Sequence, residues 1–154
     1  MSTSNAQAFP LEASEHITIP RPADWTRQDT EGTDMVLLSP PVRAGVFRPN
    51  VVVTSQPYEG SIAKLSTFAM AAALGELTSL HLIACNIWPH PAGDGRQIEY
   101  THQMGNQILH VQRWTFAVDG KAVDVTATCS STQLTAIDGL FGYLAANIEF
   151  LKAA

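Results

Sequence analysis

The order of apolar and polar positions divides the chain into nine segments. His16–Pro20 (HITIP), Asp34–Pro41 (DMVLLSPP) and Asn50–Gln56 (NVVVTSQ) are short β-branched or aliphatic runs that read as strands. The first two end in proline, which cannot donate to a ladder. From Ser61 the period changes. Ile62, Leu65, Phe68, Ala69, Ala72 and Ala73 recur at three- and four-residue steps behind a serine suited to capping a helix. The alanines predict a face that approaches a sheet closely.

Four strands follow in a row. Ser79–Trp88 stops at Pro89, and the next residues, HPAGDG, are a loop by composition. Arg96–Met104 alternates Ile98, Tyr100 and His102 with Gln97, Glu99, Thr101 and Gln103. Gln107–Val118 and Lys121–Ser131 complete the meander, with Gly105-Asn106 and Asp119-Gly120 as hairpin turns. The last stretch repeats Leu134, Ile137, Phe141, Leu144, Ile148 and Leu151 at helical spacing, which predicts one amphipathic helix weakened by Gly139 and Gly142. The order βββ-α-ββββ-α lacks strand–helix alternation. It predicts an α+β fold: a mostly antiparallel sheet of about six to seven strands with one helix on each face, an α/β/α sandwich.

The turns fix which side chains share a face. A two-residue Asp119-Gly120 turn opposes Val118 to Lys121 and puts Trp114, Phe116, Val123, Val125, Ala127 and Cys129 on one face. It also pairs Thr115 with Asp124 and sets Arg113 diagonal to Asp124, within ion-pair reach. If Gly105-Asn106 is likewise a two-residue turn, His102 faces Leu109, and Ile98, Tyr100, Leu109 and Val111 form a second apolar patch on the opposite face. A one-residue slip would instead oppose His102 to His110 and put every apolar stripe on one side. Gly-first turn chemistry favours the two-residue loop.

Composition narrows the class. With 154 residues the chain makes one domain, here residues 15–154, with residues 1–14 expected as a mobile tail. The net charge of −5 and the scattered basic residues disfavour nucleic acid. The most apolar window, Phe68–Leu77, is far short of the ~20 residues of a membrane span. The first residues resemble no secretory signal, so the expected location is cytoplasmic. Cys85 and Cys129 sit in strand-like runs and read as buried free thiols.

Motifs of catalysis are weak. Ser61 and Lys64 have the S-x-x-K spacing of serine acyl-enzymes, but the accompanying S-D-N and K-T-G elements do not occur. The histidines show no close metal spacing, and no G-x-S-x-G elbow is present. Glu99, Thr101 and Gln103 read as a solvated strand face. The aromatic set Trp88, Tyr100 and Trp114 is either core or the lining of a hydrophobic-ligand pocket between sheet and helix. Arg48 is the one residue of the stretch Gly45–Pro57 that reads as a contact.

Three features together carry a resemblance: Trp25 after a short strand and proline (ITIPRPADW), the phrase FRPNVVV leading into strand and helix, and long hairpins before a C-terminal helix. The chain resembles the PsbP-like α/β/α superfamily, closest to its actinobacterial LpqN/LpqT-like family, with DcrB-like proteins as relatives. The resemblance implies that Trp25, Phe47, Pro49 and Asn50 are structural markers. It implies no shared catalytic residues, no cofactor and no metal. Relatives include a photosystem subunit, a Ran-binding factor and secretion chaperones. The functional expectation is therefore a non-enzymatic binding or adaptor protein acting on a protein partner, a second copy of itself being one such partner. The alternative is a small hydrophobic-ligand carrier, and a serine hydrolase ranks last.

Overall fold

The computed structural model describes residues 9–152. Its elements, in chain order, are Leu11–Ala13 (β1), Ile17–Pro20 (β2), Thr26–Arg27 (β3), Met35–Leu38 (β4), Asn50–Pro57 (β5) and Ile62–Glu76 (α1). Thr78–Trp88 (β6), Gly95–Met104 (β7), Gln107–Val118 (β8), Lys121–Ser130 (β9), Leu134–Ala146 (α2) and Glu149–Phe150 (β10) follow. Seven strands form one sheet in the order β3-β4-β5-β9-β8-β7-β6, every neighbour antiparallel. A small sheet, β1-β2-β10, stands apart from it. The α+β class and the order of strands and helices are as the pattern predicts.

Both hairpins take the two-residue form. Val118 opposes Lys121, and Asp119 and Gly120 both adopt left-handed φ of 53° and 73°, the geometry a type I′ turn demands. Met104 opposes Gln107 and His102 opposes Leu109, with Gly105 at φ 62°. This register splits the apolar residues between two faces. On one, Trp114, Phe116, Val123 and Val125 pack with Phe141 and Leu144 of α2 and with Ile17, Ile19 and Trp25. On the other, Ile98, Tyr100 and Val111 meet Ala69 and Ala73 of α1. The alanines let that helix sit close. Arg113 donates to Asp124 at 2.8 Å on the α1 side, as the diagonal placement requires.

Three expectations need correction. Leu11–Ala13 lies within the segment expected as a tail but pairs with β2 and is ordered; residues 1–8 of that segment lie outside the described residues. The terminal helix stops at Ala146. Asn147 donates its side-chain N–H to the Tyr143 carbonyl at 2.9 Å, and the chain then turns so that Glu149 and Phe150 pair with Thr18 and Ile17. Ile148 is buried all the same, so helical spacing and burial coincide without a helix. Cys129 is buried, but Cys85 is exposed on β6.

Candidate interaction surface

The two edges of the large sheet are built differently. β3 is two residues long, and its Arg27 guanidinium is held by Asp29 at 2.9 Å and Glu12 at 3.4 Å. The Arg27 bond keeps the Asp29 carboxyl below its ordinary pKa. A very short strand guarded by charge is how proteins blunt an edge. β6 is the reverse: eleven residues, paired among the described residues to β7 alone, without a single Asp, Glu, Lys or Arg among them.

Its apolar side chains are in the open. Leu82 is 46% exposed, Ile83 53% and Ile87 62%. The register slips between Leu82 and Ala84, so Ile83 is the extra residue of a bulge, and Pro89 follows the last strand residue. The register slips once more between Thr78 and His81, where Ser79 takes a φ of 51°, so the first half of the strand is irregular and Ala84–Trp88 runs in regular register. Met70 of α1 and Leu77, the residue capping its C-terminus, pack in the same cluster as Leu80 of β6, which turns that flank of the helix toward the edge. Leu74, one turn on from Met70, shares the flank and is 59% exposed. The result is a neutral apolar band running along strand and helix.

The opposite face of β7 carries a polar chain that the sequence did not reveal. His110 and Glu99 approach to 2.6 Å, Gln97 donates to Gln112 at 2.9 Å, and Gln112 donates to Asp138 of α2 at 2.7 Å. Glu99 is thus half-buried against a buried histidine, not part of a solvated face. The register alone puts Glu99 opposite Gln112 and Thr101 opposite His110. Only the docking of α2 brings Asp138 to the chain and covers it. The arrangement ties two strands to a helix.

The aromatic set does not converge. Trp88 and Trp114 meet edge to face on the α2 side, centroids 5.7 Å apart, whereas Tyr100 lies across the sheet against α1. Burial raises the Tyr100 phenol above its ordinary pKa. Surface hollows of about 660, 430 and 330 Å³ occur, and none of them is lined by these three residues.

The remaining sequence candidates make contacts within the fold. Arg48 donates Nε to the Ser39 carbonyl at 2.8 Å, Asn50 donates to the Arg48 carbonyl at 3.2 Å, and Ser39 N–H donates to the buried Pro49 at 3.0 Å. Trp25 packs on Phe141, while Phe47 is only half-buried and its carbonyl accepts from Gln133 at 2.7 Å. Ser61 caps α1 by accepting the Lys64 N–H at 3.1 Å, and the Lys64 ammonium lies over the Phe68 ring. Among the described residues no three metal-ligating side chains cluster, and no helix is long and apolar enough to cross a membrane.

No protein-family model matches the sequence, and no curated protein does. Solved structures do match in shape. The PsbP protein of Synechocystis (CyanoP) superposes with a TM-score of 0.71 at 13% identity over 98% of this chain and 97% of its own. LpqN of Mycobacterium tuberculosis, described as involved in cell envelope biogenesis, gives 0.70 at 11% identity over 92% and 87%. The Ran-binding protein Mog1p of Saccharomyces cerevisiae gives 0.62 at 8% identity over 89% and 96%. At these identities the shared property is architecture, and by that measure the chain has a PsbP-like α+β fold.

Proposed function

We propose that this chain is a non-catalytic binding module that engages a protein partner along the β6 edge and the adjoining flank of α1. One observation carries the reading: an eleven-residue edge strand, free of charge and unpaired on its outer side, with Leu82, Ile83 and Ile87 exposed. An open edge offers a row of backbone donors and acceptors, and side chains on alternate faces supply selectivity. Arg27 and its acidic partners close one edge, while the other carries no charge and leaves the regular run Ala84–Trp88 open to pairing. The fold admits such a role, since Mog1p is described as binding another protein, Ran.

Affinity capture from the native host tests it, comparing the wild-type chain with the double variant Leu82→Lys/Ile87→Lys. Both positions are exposed, so the variant should melt with the wild type. Proteins retained by the wild type and lost by the variant are the expected result. An identical set on both baits would refute the assignment of the surface.

A further inference from the structure

We infer that the occupant of the β6 edge in the purified protein is the β6 edge of a second copy, related by a two-fold axis across the strand. The inference rests on the reading of this edge as the binding surface and names what fills it. An antiparallel strand pair is self-complementary: each copy offers the same backbone donors and acceptors and the same apolar residues to the other. The two seven-stranded sheets would then run on as one.

Charge argues for a copy. The chain carries −5, so two copies repel wherever acidic surfaces meet. The β6 strand itself adds nothing to that penalty, because no charged residue lies on it. The nearest charges on β7 are Arg96 and Glu99, of opposite sign, with Glu99 engaged by His110 at 2.6 Å. Glu76, at the end of α1, is the acidic group closest in sequence to the strand.

Size argues the same way. An eleven-residue strand is ~36 Å long, and with a ~10 Å helix beside it the band measures on the order of 36 by 15 Å. With its relief this buries on the order of 600–800 Å² per copy, close to the ~800 Å² of a standard interface. On the α1 side, Leu82, Ile87 and Leu74 of each copy would meet their counterparts. The backbone groups of Ala84–Trp88, the stretch in regular register, supply the rest.

Light scattering of the full chain across a concentration series is the test. The wild type should approach twice the 16.6 kDa of one chain, and Leu82→Lys/Ile87→Lys should stay at one chain mass with unchanged melting at matched dilution. Met104→Lys/Ile108→Lys, which removes equally exposed apolar side chains at the tip of the β7–β8 hairpin, should leave the dimer intact. A monomeric wild type at every concentration would overturn the two-fold pairing while leaving the capture result to judge the surface itself. A dimer that survives the first variant, or dissociates with the second, would place the interface elsewhere and overturn the inference equally.

Discussion

At the residue scale, the stretch around Pro49 shows why a loop rich in functional-looking residues need not be a site. Arg48 Nε donates to the Ser39 carbonyl, the Asn50 side-chain amide to the Arg48 carbonyl, and the Ser39 N–H to the Pro49 carbonyl. Asn50→Ala should therefore lower stability by about 1 kcal/mol, a drop of ~2–4 °C in melting temperature, and leave partner capture unchanged. Gly95 is a second such case. In sequence it is only part of GDG, a turn signal, but a Cβ there would sit 2.6 Å from the Thr115 carbonyl and from Phe116. Gly95→Ala should cost ~1–3 kcal/mol by overpacking, measurable by denaturant unfolding. Nothing along the chain announces that close approach, because it depends on which residue of β8 lies opposite.

The cysteines make a prediction of their own. Burial raises the Cys129 thiol to about 11, with the Asp138 charge adding to the effect. Its folded pKa lies above the unfolded value, so the folded state holds the proton more tightly and stability falls as pH rises from the unfolded value toward 11. Replacing Cys129 with Ala should make that decline shallower, although the variant starts less stable. Alkylation of the native wild type, diluted until it is monomeric, should modify Cys85 and spare Cys129, with both thiols reacting only after denaturation. Both cysteines read alike in sequence, each within a β-like run. What separates them is position in the sheet, since β9 is central and β6 is at the edge.

At the element scale, local signals were strong where a turn or cap dictates geometry. Asp119-Gly120 and Gly105-Asn106 set the registers of three strands, and from them the two apolar faces and the Arg113–Asp124 pair follow. Ser61 announces α1, and Ser61→Ala should cost about 1 kcal/mol in stability without affecting association, as a thermal melt and a scattering measurement together would show. Signals failed where one period serves two structures. Ile148 continues the helical repeat of α2 yet is buried from a turn that leads into β10. Of the β1-β2-β10 sheet only β2 was legible: strands of two or three residues such as β1 and β10 carry too little pattern, and β10 pairs with β2 from the opposite end of the chain.

At the scale of the whole molecule, the sheet has a guarded edge and a bare one, and strand order decides which is which. The sequence of β6, with no charged residue from Thr78 to Trp88, reads equally well as a central strand buried on both sides. That ambiguity hid the surface until topology placed the strand last. The Glu99–His110 pair and the Gln97–Gln112–Asp138 chain were hidden similarly, since α2 packs over residues that alternation alone assigns to solvent. Both misreadings come from assembly, not from local propensity.

The account stands on the claim that the outer side of β6 is a pairing surface, and amide hydrogen exchange reads that side strand by strand. Followed as protein concentration is raised, exchange within Thr78–Trp88 should slow severalfold, while Thr26–Arg27 at the guarded edge stays constant. Exchange along β6 that remains equally fast at every concentration, with or without captured partner, would contradict it.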